Sequence, residues 1–362
     1  DIARHVKARF CLNEGTHYKY HDELEYASEA EKWLQMAATE SDKLITSGRY
    51  EIYNTGHPQE DYFNMYRIDD KSDLKEAVLY VDYKTNIRAH NMAAAGREAG
   101  CGCSKSVVES FLCSDGLPIS LSNKYLGDET MRKETANRDP RLKQLILTND
   151  FPTNVTDDLK DSTFVVNEDE FITQHCFTGY RPIKGFNPIY SQALYMKSSF
   201  DGIAYRYAET LLINAEAKAE LNTITNADLD RTVNQLRDRV GMPHLTVNVG
   251  FTDPKWPDWG YSLSPVLQEI RRERCIELAG EGFRFNDLKR WKAGKLLNNV
   301  LTYVGNRNPD GNLAIVYPNY TNPDLSYQAG KSRTWEDKMY LYPIPTGELQ
   351  RNPQLLPQNP GW

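Results

Sequence analysis

Two carboxylates one helical turn apart, Glu277 and Glu281, come nearest to acid–base machinery in this 362-residue chain. At a spacing of four residues both side chains share a helix face, and two carboxyl groups about 5–10 Å apart are what glycoside hydrolysis requires. Their sequence neighbours oppose that chemistry. Arg274, Arg284 and Arg290 stand close by, and nearby guanidinium groups lower a carboxyl pKa where a general acid needs it raised. Leu267, Ile270, Arg274 and Leu278 follow one another at spacings of 3, 4 and 4, which sets Arg274 on the apolar stripe of its own helix. A guanidinium keeps its proton, so a buried Arg274 must be met by carboxylates. Glu273, Glu277, Glu281 and Asp287 are the nearest candidates. The run therefore predicts a structural ion network of Glu273, Arg274, Glu277, Glu281, Arg284, Asp287 and Arg290, tying a helix to the next turn and to Trp291. Asp139, between Arg138 and Arg141, reads the same way.

Other chemistries lack their signatures. There is no Gly-x-Ser-x-Gly elbow, phosphate-binding loop, dinucleotide fingerprint or His-Glu-x-x-His helix. The 7 histidines show no ligand spacing, and His17 and His21, following Gly15, are expected in a loop. Cys101-Gly102-Cys103 has no second cysteine pair at zinc spacing, so no metal and no cofactor are expected. Cys11 and Cys275 fall within helical patterns and are expected as small buried residues, while a disulfide among Cys101, Cys103 and Cys113 is left open. A net charge of −7 argues against nucleic acid or an anionic membrane face as partner. The 22 tyrosines and 6 tryptophans stand out, and most should pack internally while some form platforms for sugar rings.

The elements that would position these groups are mostly helical. Ile2, Val6 and Phe10 predict a helix over 1–14 ending near Gly15. A second spans 22–47, where Ala27, Ala30, Leu34, Ala37, Ser41 and Leu44 make a narrow stripe suited to close helix contact and Gly48 supplies the stop. Residues 49–53 form a strand-like exit. From 54 to 200 the helical period disappears, short apolar runs such as Val78–Val81 alternate with Asn, Asp, Gly and Pro, and such long irregular stretches are usually functional. Helical period returns at 203–221 and 226–240, a hairpin of about 34 residues, near the length of one tetratricopeptide unit. A loop over 250–264, a helix over 265–280, a short helix over 286–298 and a Pro-, Asn- and Tyr-rich tail from 303 complete the chain. No segment reaches the roughly 20 apolar residues of a membrane helix.

Five segments, in order, resemble the SusD/RagB family of surface lipoproteins through which Bacteroidetes take up glycans or peptides. They are Asp115–Ile119, Asn137–Leu142, Ala204–Leu212 with Ala215-Glu216-Ala217, the Glu269–Trp291 run, and Tyr342–Pro345 with the closing Gln358–Trp362, where Trp stands for the more usual Tyr. The resemblance implies a mainly α fold with tetratricopeptide-like helical pairs over 1–53 and 203–300. It also implies a large irregular ligand-facing region over 54–202 with few short strands, and a wrapping tail over 301–362. It implies that the chain is the C-terminal portion of one SusD-like domain, the family's N-terminal part with its lipid-bearing cysteine lying outside it. The implied function is non-catalytic capture of oligosaccharide or polysaccharide at the outer membrane surface and delivery to a SusC-like TonB-dependent transporter. A RagB-like peptide binder is the alternative, and a glycoside hydrolase ranks behind both.

The family's glycan site is built by loops outside the helical repeats, so aromatic residues in irregular backbone with polar neighbours are the ligand candidates. Tyr62, Asn64 and Tyr66 form one cluster; Tyr83, Arg88, His90 and Asn91, with Asn86, form another after a strand-like run. The loop of Trp256 and Trp259, stiffened by Pro254 and Pro257, is a third.

Overall fold

The computed structural model describes residues 1–92, 102–148, 176, 178–302, 305–306 and 334–362. In chain order the helices are α1 (Ile2–Tyr20), α2 (Ala30–Thr46), α3 (Asp61–Asn64), α4 (Lys105–Ser110), α5 (Met131–Thr135), α6 (Arg141–Leu145), α7 (Tyr190–Ala193), α8 (Tyr207–Glu220), α9 (Asn226–Asp230), α10 (Val233–Arg239), α11 (Pro265–Glu277), α12 (Arg284–Arg290) and α13 (Thr346–Arg351). Two strands, β1 (Ala77–Val81) and β2 (Gly202–Arg206), pair antiparallel, with Ala77 opposite Arg206 and Val81 opposite Gly202. The chain is mainly α, as expected.

α1 and α2 run antiparallel, with Arg4 reaching Glu40 at one end and Gly15 lying against Leu34 at the other. Gly15 does not end the helix as expected. A β-carbon there would lie 2.8 Å from Leu34 Cγ, so glycine serves close packing while α1 continues to Tyr20. His17 therefore lies on the helix and stacks on His21 at 4.0 Å, not in a loop. Burial and the neighbouring His21 lower the His17 pKa to about 4. α2 starts at Ala30 rather than 22, because residues 22–29 form two short 3-10 turns and Ala27 stays exposed. Ala30, Leu34, Ala37, Ser41 and Leu44 are buried, and Gly48 takes the left-handed φ of 64° that stops the helix.

α8 lies against α2, where the Asn214 amide donates to Ala38 O and Ser41 Oγ, both at 3.0 Å. The expected helix over 226–240 is two: Thr225 caps α9 through a reciprocal bond with Asp228, and Thr232 interrupts before α10. Leu229, Val233 and Leu236 join Leu211, Leu212 and Ile270 in one core. Ser264 caps α11 by accepting the Leu267 N–H, and Pro265 occupies its first turn. The predicted short helix over 286–298 is α12 from Arg284, followed by a 3-10 turn at Gly294–Asn298.

Between α2 and β2 the described α-helices are no longer than six residues. That region has its own core of Phe63, Phe111, Leu142, Ile146, Tyr180 and Phe186, into which Ile276 of α11 projects. α11 thus touches both halves, one face in each core. Residues 334–362 approach α12, the Tyr340 hydroxyl accepting the Gly294 N–H at 2.8 Å and Trp335 meeting Phe285 at 6.2 Å.

Candidate functional site

Glu277, the last residue of α11, sits fully buried where the two cores meet. It accepts from Arg141 at 2.8 Å, Arg206 at 2.6 Å and Arg239 at 2.6 and 2.8 Å. Arg206 also donates to Glu76 at 2.9 Å and Glu281 at 2.6 Å. Lys184 donates to Glu281, the Tyr62 hydroxyl and the carbonyls of Glu277 and Ala279. Burial alone would raise the Glu281 carboxyl; the charges of Arg206 and Lys184 outweigh it and hold the pKa at about 2. Arg239, Arg206 and Arg141 likewise outweigh burial at Glu277 and hold it well below the usual carboxylate range. Neither carboxyl can carry a proton to a leaving group near neutral pH.

The expected network forms, but with different partners. Glu277 and Glu281 are neutralised by Arg141, Arg206, Arg239 and Lys184, not by Arg274, Arg284 and Arg290. Glu273 pairs with Arg141 at 2.6 Å and Arg237 at 2.9 Å. Arg274, buried as predicted, points the other way, to Asp287 at 2.9 Å and Glu216 at 3.9 Å. Arg290 bridges the same two acids, and Trp291 Nε1 donates to Glu216 at 2.7 Å. Arg284 makes no ion pair among the described residues; its guanidinium lies 5.9 Å from the centre of the Trp291 ring. Asp139 pairs with Arg141 as expected, whereas Arg138 donates to the carbonyls of Val108, Phe111 and Glu134. A helix alone brings together only residues three or four apart. The missing partners come from segments 36 to 136 residues distant, beyond any spacing rule.

The first aromatic cluster belongs to this network and not to a binding surface. Tyr62 is fully buried and donates to Glu277 O at 2.6 Å. Tyr66 meets Tyr62 edge-on at 6.0 Å and donates to Glu281 at 3.1 Å. Lys184 sits over both rings, so neither offers a face to a sugar. The Asn64 amide donates to Glu60, the residue that precedes α3, at 3.5 Å. The physical reason is α3's place on the C-terminal end of α11. Trp259 is also internal, 5% exposed, bonded to Gln268 and edge-on to Trp291 at 5.4 Å. Trp256 is partly buried, donates to Glu269 at 2.7 Å and borders a cavity of about 650 Å³.

The second cluster stays together at the surface. Lys84 and Arg88 face each other across a tight turn with Asn86 at φ 64°. The Arg88 guanidinium lies over the Tyr83 ring at 5.0 Å and His90 meets that ring edge-on at 4.5 Å. Both nitrogens of His90 are engaged, Nε2 donating to Phe200 O at 2.8 Å and Nδ1 accepting the Met92 N–H at 3.0 Å. Burial lowers its pKa, which favours this neutral form. His90 and Tyr83 therefore brace the turn. Asn91 Oδ1 accepts from Met196 N at 3.1 Å and joins the turn to the 190–199 loop, as does the 3.0 Å bond from Thr85 to Ser199.

Two exposed rings on that loop lacked any sequence signal: Tyr190 is 55% and Tyr195 71% accessible. The turn bonded to that segment carries two hydrogen-bond donors, the Asn91 amide and Arg88, which has no carboxylate partner among the described residues. Among the described residues no three His, Cys, Asp or Glu side chains converge as metal ligands. Cys11, Cys113, Cys176 and Cys275 are free thiols, whereas Cys101 lies outside the described residues. No described helix is long and apolar enough to cross a membrane.

The SusD family profile matches residues 43–362. A SusD-like protein P2 of Formosa agariphila is 32% identical over 166 residues, covering 46% of this chain and 27% of that protein. A SusD-like protein of Bacteroides fragilis superposes with a TM-score of 0.65 at 23% identity, covering 99% of this chain and 64% of the other. A SusD-like carbohydrate-binding protein of the same species gives 0.61 at 22% identity, covering 96% and 63%. The chain thus spans less than two thirds of the length of these relatives. By the profile match over most of its length, the chain belongs to the SusD family.

Proposed function

We propose that this chain is the C-terminal portion of a cell-surface protein that captures oligosaccharide without breaking bonds. In this reading it passes the ligand to a SusC-like TonB-dependent transporter, tethered to the outer membrane by lipid on a cysteine outside the present chain. Family membership supports the role. The binding-only part draws support from Glu277 and Glu281, whose four cationic neighbours leave no proton donor for glycosidic oxygen. The observation that carries the site is the pair of exposed rings Tyr190 and Tyr195 on the segment that Asn91 and Thr85 tie to the turn bearing Arg88. Sugars bear little charge, so recognition rests on ring stacking with a few directed hydrogen bonds, and this surface offers both on a braced turn.

A glycan array with the mature full-length protein, followed by isothermal titration of the best ligand, tests the proposal. Expected are saturable glycan binding, a weakened Tyr195→Ala variant and no release of reducing ends. Preferential binding of oligopeptides would move the assignment to the RagB type. Steady release of reducing ends, abolished by Glu281→Gln, would overturn the binding-only reading.

A further inference from the structure

The cavity of about 650 Å³ lies between α4, the 253–259 loop, α11 and α12, apart from the Tyr195 surface. Its size falls in the range of small-molecule sites, roughly 300–1,000 Å³. Val107, Leu297 and the indoles of Trp256 and Trp259 give it apolar walls, and Cys275 opens onto it from α11. Four cationic side chains and three acidic ones line it, an excess of one positive charge. Two of the cations are already paired with carboxylates, although the buried Nε of Arg271 has no hydrogen-bond partner among the described residues. Arg271 donates to Tyr261 at 3.1 Å and Glu220 at 2.9 Å; Arg272 holds Asp253, Glu269 and the Ser110 carbonyl. Arg284 differs: it is partly buried, meets only the Trp291 ring, and makes no hydrogen bond or ion pair to any described residue. A guanidinium that holds no carboxylate is available to an anion delivered by a ligand.

The geometry points to this cavity as a second binding site, one that takes a small ligand with an apolar ring body and a single carboxylate or sulfonate seated on Arg284. The pocket walls remove the body from water, and the unpartnered guanidinium fixes the anionic end. A neutral ligand of the same shape gains only the first term.

The test uses the full chain with 8-anilinonaphthalene-1-sulfonate and its uncharged counterpart N-phenyl-1-naphthylamine, both read by fluorescence. The sulfonate should bind one site per chain. Arg284→Ala should weaken it by about tenfold or more, the size of one lost charge-assisted bond, while leaving the neutral probe unchanged. Arg284→Lys should recover part of the loss, and Cys275→Phe, which fills the cavity, should abolish both probes with thermal melting held as a control on folding. Several weak sites per chain, unchanged sulfonate affinity in Arg284→Ala, or no binding at all would overturn the assignment. Glycan affinity should be unaffected by Arg284→Ala, so failure here is distinguishable from failure of the Tyr195 surface.

Discussion

The interior around Glu277 and the surface around Arg88 use the same residue types to opposite ends. In the interior, Tyr62 and Tyr66 lie beneath Lys184, and every cation that reaches Glu277 is met by acid. At the surface, Arg88 rests on Tyr83 alone while Tyr190 and Tyr195 face outward. An arginine beside tyrosines therefore has no fixed meaning; whether a carboxylate closes the pair decides between scaffold and contact surface. Buried ion pairs are poor contributors to net stability compared with apolar packing, yet very costly to leave half-made. The interior cluster should accordingly respond to mutation in stability, and the surface in binding.

The largest expected effect is Glu277→Ala. Removing one carboxylate takes an acceptor from Arg141, Arg206 and Arg239 at once and leaves Arg239 only its 3.5 Å contact with Glu76. Denaturant unfolding of the full chain should show a loss of about 3–5 kcal/mol, with glycan affinity of the folded fraction unchanged. A loss below about 1 kcal/mol, the scale of an exposed pair, would remove Glu277 from the centre of the fold. Arg274→Ala should cost less, about 3 kcal/mol at the low end of the same range, because Arg290 still holds both Asp287 and Glu216. Equal losses in the two variants would contradict that sharing.

Acid should separate the regions next. Glu281 is depressed to about 2 in the folded chain, so its contribution is complete above the ordinary carboxylate value near 4.5 and is lost as pH falls toward 2. Glu277 acts in the same direction. Melting temperature should therefore fall between pH 4.5 and 2, and Glu281→Gln should flatten that slope; an unchanged slope would mean other groups govern acid unfolding. The smallest effects distinguish tyrosine from tyrosine. Tyr195→Ala should lose about 1–2 kcal/mol of glycan binding with melting unchanged. Tyr62→Phe should lose about 1–2 kcal/mol of stability with binding unchanged, since it deletes the hydroxyl that links Lys184 to the Glu277 carbonyl. The reverse pattern in titration would return the site to the first cluster.

Much of the helical framework was legible because periodicity is local: α2 and α11 follow from their stripes, and the burial of Arg274 from its position among Leu267, Ile270 and Leu278, whereas α1 forms but leaves Ile2, Val6 and Phe10 exposed and buries the face of Ala8, Cys11 and Leu12. Gly15 misled, since a glycine spent on close packing looks the same in sequence as one that stops a helix. Likewise β2 was absorbed into a helical reading of 203–221, because Ile203 and Tyr205 suit a strand only once β1 is beside them. The ion partners were hidden by chain distance. Tyr62 and Tyr66 misled because aromatic residues beside amides look alike whether they face water or lie under Lys184. Tyr190 and Tyr195 sit among Ser, Gln and Lys without any period, so exposure alone distinguishes them.

The charges that meet at Glu277 come from five separated stretches of chain, around Glu76, Arg141, Arg206, Arg239 and Glu277 itself. Any partly assembled form that buries some of them without the others holds naked charge in a poor dielectric, and is penalised far above both the native and the open chain. Folding should therefore be cooperative across the central region and the helical pairs, with few populated half-folded states. The same coupling would make the chain difficult to divide, because a cut between Arg206 and Arg239 would separate two of the cations that Glu277 needs at once.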